Sequence, residues 1–142
     1  MLHKSVVVAV SQTRAFESWH RNIHLWWPPG HHVSGDPTGR IVLEPRAEGR
    51  FYERTADGTE HDYGRVLAFE PPDRLRYAFF LGTGRALPTE VEVCFVAVDG
   101  GTRVEVTHRP WKAGDRFTDT APRFHASWNR TLAAFAAHFD DP

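Results

Sequence analysis

The sequence predicts an α+β protein in which a curved antiparallel β-sheet wraps around a long C-terminal helix. Near the C-terminus, large apolar residues recur at intervals of three, four and seven positions, which is the spacing of one helical face. Between residues 41 and 108, segments of alternating apolar and polar residues are separated by turn sequences. One face of these segments is apolar and the other charged, as a half-solvated antiparallel sheet requires.

The chain begins with a valine-rich segment, residues 2–10, which predicts a strand. Ser11 and Thr13 are suitable N-caps for a helix that runs through Arg21. The following Trp26-Trp27-Pro28-Pro29-Gly30 ends helical structure because proline cannot continue a helix. The first part of the protein is therefore expected to be a strand and a pair of helices.

A loop at residues 31–39 is followed by the segments that predict the rest of the sheet. The predicted strands are residues 41–44, 50–54, 61–69, 74–81, 89–98 and 102–108. Asp57-Gly58 and Asp99-Gly100 predict tight hairpin turns. Residues 82–88 and 109–115 are expected to be loops.

The last helix is predicted at residues 118–139. Asp115 and Thr118 are suitable capping residues, and Asp119 suits the positive end of the helix dipole. Arg123, Asn129 and Arg130 are expected to face water. The predicted apolar stripe consists of Phe117, Phe124, Trp128, Leu132, Phe135 and Phe139.

Length and composition predict one domain, residues 1–142, of an ordinary globular protein with 41% hydrophobic and 25% charged residues. The net charge of −1 gives no reason to expect binding to nucleic acid or to an anionic membrane. The single cysteine, Cys94, excludes an internal disulfide and suits a reducing compartment. The apolar run at residues 6–10 is too short for a signal peptide or a membrane span. We expect a cytoplasmic protein.

Several short motifs together resemble a known family. They are Trp26-Trp27-Pro28, Gly49-Arg50-Phe51-Tyr52-Glu53, Gly64-Arg65-Val66, Phe69-Glu70-Pro71-Pro72-Asp73-Arg74-Leu75, Pro88-Thr89-Glu90-Val91-Glu92-Val93, Gly101-Thr102-Arg103-Val104-Glu105-Val106-Thr107-His108 and Trp128. In this order they resemble the START-like (SRPBCC) superfamily, and within it the single-domain bacterial relatives of the activator of heat-shock-protein-90 ATPase. The resemblance implies the helix-grip fold. Glu48 and Ser127 stand where that family usually has glycine.

The family's members bind varied ligands, so the resemblance does not fix a function. The surplus of inward-facing aromatic residues predicts a cavity between the sheet and the last helix that binds a small hydrophobic or aromatic molecule. The alternative is that these side chains simply fill a close-packed core. The candidate ligand-binding residues are Trp26, Trp27, Phe51, Tyr77, Phe79, Val93, Phe95, Val106, His108 and Trp128.

An enzyme of cyclase or hydrolase type is the second hypothesis. His108 and His125 are the candidate catalytic residues, because a histidine inside the cavity could act as a general base. A histidine bonded within the core is the competing interpretation, and the one we favour. Four residues of two neighbouring strands could also supply a polar group, although we expect them to be exposed. They are Glu53, Glu60, Asp62 and Tyr63.

No cofactor and no metal are expected. His20 and His24 are four positions apart, and His31 and His32 are adjacent, but the glutamate of the zinc-protease motif is missing. We interpret these four residues as solvated histidines.

Two kinds of protein partner complete the hypotheses. The family name suggests stimulation of a chaperone ATPase. This hypothesis ranks third, because the resemblance covers only this one domain and includes no separate chaperone-binding segment. The outward-facing Cys94, Val96 and Val98 suggest a covered surface, such as a homodimer contact.

Overall fold

The computed structural model describes residues 2–36, 38–80, 88–110 and 117–139, with side chains of the last helix described from residue 124 onward. Some predictions fall outside this part of the chain. They are those for Leu81, for the loop residues 82–87 and 111–115, and for the side chains of Asp115, Phe117, Thr118, Asp119 and Arg123.

The structure confirms the α+β fold and the predicted order of elements. The elements are β1 (Leu2–Val8), α1 (Gln12–His20), α2 (Ile23–Trp26), a 3₁₀ turn (Pro29–His31), β2 (Arg40–Leu43), β3 (Arg50–Arg54), β4 (Glu60–Glu70), β5 (Arg74–Phe79), β6 (Thr89–Val98), β7 (Gly101–Pro110) and α3 (Phe117–His138). All seven strands form one antiparallel sheet in the order β1-β7-β6-β5-β4-β3-β2. Such a sheet around a C-terminal helix is the helix-grip arrangement.

Several boundaries differ from the prediction by one or two residues. Strand β1 ends at Val8 rather than Val10, because α1 begins soon afterwards, at the Ser11 cap. Ser11 Oγ accepts a hydrogen bond from the Arg14 amide, at 3.2 Å. Strand β7 continues to Pro110, where a loop was predicted, since Glu90 and Thr89 of β6 still pair with Arg109 and Pro110.

Left-handed backbone conformations occur at the predicted hairpins. Gly58 has a φ of 88° and Gly100 a φ of 81°, which residues other than glycine rarely adopt. Glu48 also has a positive φ, 65°, in the turn between β2 and β3. A glycine at that position would adopt this conformation without strain.

The core lies between the concave face of the sheet and the three helices. Inward-facing residues alternate along β5, β6 and β7 as predicted, and the stripe of α3 is buried from Phe124 to Phe135. Trp19 of α1 has no exposed surface and lies at the centre of this core. Its ring centroid is 5.0 Å from that of Phe135 and 6.4 Å from that of Trp128.

The convex face of the sheet carries ion pairs. Arg76 and Arg109 both contact Glu90, at 3.0 and 2.6 Å, and Arg74 contacts Glu92. These groups are partly exposed, so each pair contributes little to stability. Cys94 is half-buried on this face. A homodimer contact here stays a prediction. In the described parts of the chain, no helix has the length and apolar character needed to span a membrane.

We expect the Phe135→Ala variant to lose about 3–5 kcal/mol of unfolding free energy, because it leaves a cavity between α1, α2 and α3. Urea denaturation monitored by circular dichroism measures the loss. Leu25→Ala is the matched control, since Leu25 is 63% exposed and its truncation should change stability by no more than about 0.5 kcal/mol. Equal effects of the two substitutions would contradict the packing described for α3.

Candidate functional site

A cavity of about 320 Å³ lies between α3, the end of β5 and the segment that follows α2. This volume is at the lower end of the range for small-molecule sites, roughly 300–1,000 Å³. The described residues that line it are Trp27, Gly30, His31, His32, Val33, Phe79, Phe124, Ser127, Trp128, Arg130 and Thr131.

Three elements form the walls. Phe124, Ser127, Trp128 and Thr131 line the cavity from positions 0, 3, 4 and 7 of one α3 face. Phe79, the last residue of β5, contributes an aromatic ring from the sheet. Trp27 follows α2 directly, and its indole Nε1 donates to the His31 carbonyl at 3.3 Å. Its ring covers the third side.

Of the predicted ligand-binding residues, Trp27, Phe79 and Trp128 lie on the cavity wall. The others lie in the packed core, where neighbouring rings fill the space around them. Phe51 and Tyr77, for example, have ring centroids 5.3 Å apart and no exposed surface. The predicted residues of this second group are Trp26, Phe51, Tyr77, Val93, Phe95, Val106 and His108.

His108 is fully buried beneath the cavity and holds Trp128 in place. The indole Nε1 of Trp128 donates a hydrogen bond to His108 Nδ1, at 2.9 Å. An indole nitrogen can only donate, so Nδ1 is the acceptor and the ring proton is on Nε2. That proton is donated to Thr89 Oγ1, at 2.6 Å, and the Thr89 hydroxyl donates to the Phe79 carbonyl, at 3.3 Å.

This network argues that His108 is a structural residue. Burial lowers its pKa from the ordinary 6.5 to about 3, so the ring is neutral at physiological pH. Both ring nitrogens already have protein partners. The favoured interpretation, a histidine bonded within the core, therefore describes its geometry better than that of a free general base.

His125, the second candidate catalytic residue, lies outside the cavity. It is exposed and its Nε2 is 3.2 Å from Lys4 Nζ of β1. The reason is helical geometry: His125 follows the buried Phe124 by one position, which turns it about 100° away from the apolar stripe.

A buried carboxylate lies behind the polar side of the cavity. Glu53 of β3 has no exposed surface. It accepts hydrogen bonds from Ser34 Oγ at 2.5 Å and from Tyr63 Oη at 2.8 Å. Its Oε2 atom also contacts Nδ1 of His32 at 3.2 Å. Gly39 makes room for this group, because a side chain there would collide with the carboxylate.

Glu53 stays ionised in this environment. Burial alone would raise its pKa, but the hydrogen bonds from Ser34 and Tyr63 and the nearby His32 outweigh burial and lower the pKa below its ordinary value. The expectation that Glu53 and Tyr63 are exposed is therefore wrong. It holds for Glu60 and Asp62, which pair with Arg50 on the outer surface.

His31 forms a polar contact with α3 on the same side of the cavity as His32. Its Nδ1 is 3.2 Å from Thr131 Oγ1, and the hydroxyl of Thr131 donates to the Ser127 carbonyl at 2.9 Å. Arg130 Nε lies 3.5 Å from His31 Nε2 at the rim. Burial and the Arg130 charge lower the pKa of His31. One side of the cavity is thus aromatic and the other carries donors and acceptors.

The interpretation of four histidines as solvated is wrong for His20 and His32. His20 is buried between Phe16 and Phe69, with ring centroids 5.4 and 5.1 Å away, and burial lowers its pKa. The side chain of His32 is only 6% exposed. Among the described residues, no three histidine, cysteine, aspartate or glutamate side chains come together in a way that could hold a metal ion.

Sequence reasoning missed the polar side of the cavity. In the sequence, His31 and His32 stand out only as possible metal ligands. Ser127, Arg130 and Thr131 lie beside the apolar stripe of α3, with no pattern that marks them as wall residues. Glu53 carried a usable signal, because it is two positions from Phe51 on the same strand and alternation turns both inward.

Comparison with known proteins gives a family match and a common fold. The family model for "activator of Hsp90 ATPase homolog 1-like protein" matches residues 9–140. The solved structure of Txn09, an anthrahydroquino-gamma-pyrone synthase, is 32% identical, with 96% of this chain and 94% of that chain covered and a TM-score of 0.60. A comparison with curated proteins gave no significant match.

Two more distant structures share the fold. Ms6760 from Mycobacterium smegmatis is 18% identical, with a TM-score of 0.71 and coverage of 99% of this chain and 90% of that chain. DynU16, a protein of the dynemicin biosynthetic locus, is 18% identical with a TM-score of 0.74. The match covers 99% of this chain but only 47% of DynU16, so the chain spans about half of that protein.

The His108 network predicts a pH dependence. The folded protein binds the His108 proton only near pH 3, whereas the unfolded chain binds it near pH 6.5, so protonation favours unfolding between these values. The stability due to neutral His108 is complete above pH 6.5 and falls as the pH drops towards 3. Urea denaturation should therefore show that wild type loses about 2 kcal/mol relative to His108→Gln between about pH 7.5 and about pH 5.

Glutamine is the suitable replacement because its amide can still donate and accept but does not titrate. The other histidines are present in both proteins, so their contributions cancel in the difference. A stability difference that stays constant over this pH range would contradict the neutral, buried state assigned to His108.

Proposed function

The chain belongs to the family of proteins like activator of Hsp90 ATPase homolog 1, and we propose that it binds an oxygenated aromatic molecule in the cavity beside α3. The observation that carries the proposal is the two-sided cavity. Its aromatic side, formed by Trp27, Phe79, Phe124 and Trp128, suits a flat apolar body. Its polar side suits the oxygen atoms at one edge of such a body.

Charge adds a preference for acidic ligands. Arg130 lies at the rim of the cavity. Among the described residues of the cavity wall, it is the one with a permanent charge. A carboxylate or phenolate edge of a ligand would pair with its guanidinium group. The hydroxyl of Thr131 and the ring of His31 lie on the same side.

The match to Txn09 supports the class of ligand. The anthrahydroquino-gamma-pyrone in the name of that synthase is an oxygen-rich aromatic compound. At 32% identity over nearly the whole of both chains, Txn09 is a family relative rather than only a shared fold. We extend the ligand class, and not the reaction, from that protein to this chain.

A cyclase-like enzyme is the second candidate function, and the same match favours it, because Txn09 is itself a synthase. The hydrolase alternative has no comparable support. Stimulation of a chaperone ATPase, a homodimer and a cytoplasmic location remain predictions.

The binding proposal is tested with anthraquinone-2-carboxylate, a flat aromatic acid. At ten times its Kd, a ligand of the folded state adds about 1.4 kcal/mol to the unfolding free energy, which raises Tm by a few degrees. The variant Ser127→Phe should abolish the shift by filling the cavity, since Ser127 lies on its wall. Differential scanning calorimetry measures the ligand-induced shift of Tm in wild type and in the variant.

Ala126→Phe is the matched control, because Ala126 is the neighbouring residue and is exposed. It introduces the same side chain outside the cavity and should keep the full shift. An absent shift in wild type over a broad set of aromatic acids, or an equal shift in Ser127→Phe, would contradict binding at this site.

A further inference from the structure

His32 and Glu53 form a carboxylate–imidazole pair at the cavity wall. Glu53 Oε2 is 3.2 Å from His32 Nδ1, and the His32 side chain is 6% exposed while Glu53 has none of its surface exposed. His32 also lines the cavity. The pair therefore connects a fully buried charge to the surface that a ligand would touch.

Both oxygens of the Glu53 carboxylate accept further hydrogen bonds besides the contact with His32. Glu53 accepts from the Ser34 hydroxyl, from the Ser34 amide at 3.3 Å and from the Tyr63 hydroxyl. Tyr63 is itself fixed by the Val33 amide, which donates to its oxygen at 3.0 Å. Residues of the loop that carries His32 are thus bonded to the same β3–β4 cluster, which fixes the position of the imidazole relative to α3.

This geometry determines which nitrogen of His32 is basic. An ionised carboxylate can only accept, so Nδ1 carries the proton and Nε2 has the free electron pair. Among the described residues, the hydrogen bond to Glu53 is the one found for the His32 ring. In the carboxylate–histidine pairs of many active sites, the carboxylate orients the imidazole in the same way.

We propose that His32, oriented by Glu53, is the proton acceptor of the cavity and takes the proton of a phenolic or enolic hydroxyl on the bound aromatic molecule. In this step the ligand's O–H bond breaks and its electron pair stays on oxygen. An N–H bond forms at His32 Nε2, and the Glu53 carboxylate balances the imidazolium charge. His32 is then the catalytic residue of this step and Glu53 its positioning residue. The inference rests on the proposed function.

Other charges near His32 act on the same equilibrium. His31 precedes it, Asp36 lies in the same loop, and Arg130 lies at the rim on α3. The cation of Arg130 favours the phenolate form of a ligand, in the same direction as the imidazolium of His32. A test must therefore compare variants that leave Arg130 unchanged.

The probe is alizarin, 1,2-dihydroxyanthraquinone, whose visible absorption changes when its phenol ionises. Spectra of the protein-bound dye over a pH series give the pH at which the bound phenol loses its proton. With His32 as acceptor, this pH should be lower by about one unit or more in wild type than in His32→Asn. Asparagine keeps a donor for Glu53 but has no basic nitrogen. Glu53→Gln should also raise the pH at which the bound phenol ionises, by a smaller amount than His32→Asn.

His125→Asn is the matched control, because it removes an exposed histidine from α3 and should leave the ionisation unchanged. Thermal melts identify variants that do not fold, and His32→Gln then replaces His32→Asn. If alizarin and anthraquinone-2-carboxylate both fail to bind wild type, the proposed function fails. If both bind wild type and the His32 variant, and the bound phenol ionises at the same pH in each, the assignment of His32 alone is overturned.

Discussion

The burial of Trp128 is the contact on which the rest of the arrangement depends. Its ring stacks near Trp19 of α1, with 6.4 Å between centroids, and its indole nitrogen donates to His108 of β7. A buried indole N–H needs an acceptor, and a buried histidine needs partners for both nitrogens. The hydrogen bonds that link Trp128, His108 and Thr89 meet both needs, and they fix how α3 packs against the sheet. The other side of the Trp128 ring is left as a cavity wall.

The cavity persists because a different set of bonds holds its far side. The segment after α2 contacts α3 through His31, and its hydrogen bonds to Glu53 and Tyr63 of β3 and β4 keep it from closing further onto the helix. Burying a carboxylate is costly, and its hydrogen bonds offset that cost while they position the loop. The aromatic wall therefore comes from helix–sheet packing, whereas the polar wall comes from this buried cluster. A ligand that satisfies both walls must have an apolar body and a polar edge.

Much of the fold was predictable because its signals are local. The period of two along Val91, Val93 and Phe95, and the helical spacing of Phe124, Trp128 and Phe135, turn the correct faces inward. The division of inward residues between packed core and cavity wall was not predictable, since it depends on how neighbouring rings fill space. The Glu53 cluster was missed for another reason. A shift of register between β3 and β4 at Phe51 and Tyr52, together with the position of residues 31–34, brings distant polar residues together.

The most direct test of the account is a crystal structure of the protein with anthraquinone-2-carboxylate. The account predicts the ring system between Trp27, Phe79 and Trp128, with the ligand's oxygen atoms towards His31, His32 and Arg130. It also predicts that the Trp128–His108 and Glu53–Tyr63 hydrogen bonds persist in the complex. Ligand bound elsewhere on the protein, or a cavity closed by contact between Trp27 and α3, would contradict it.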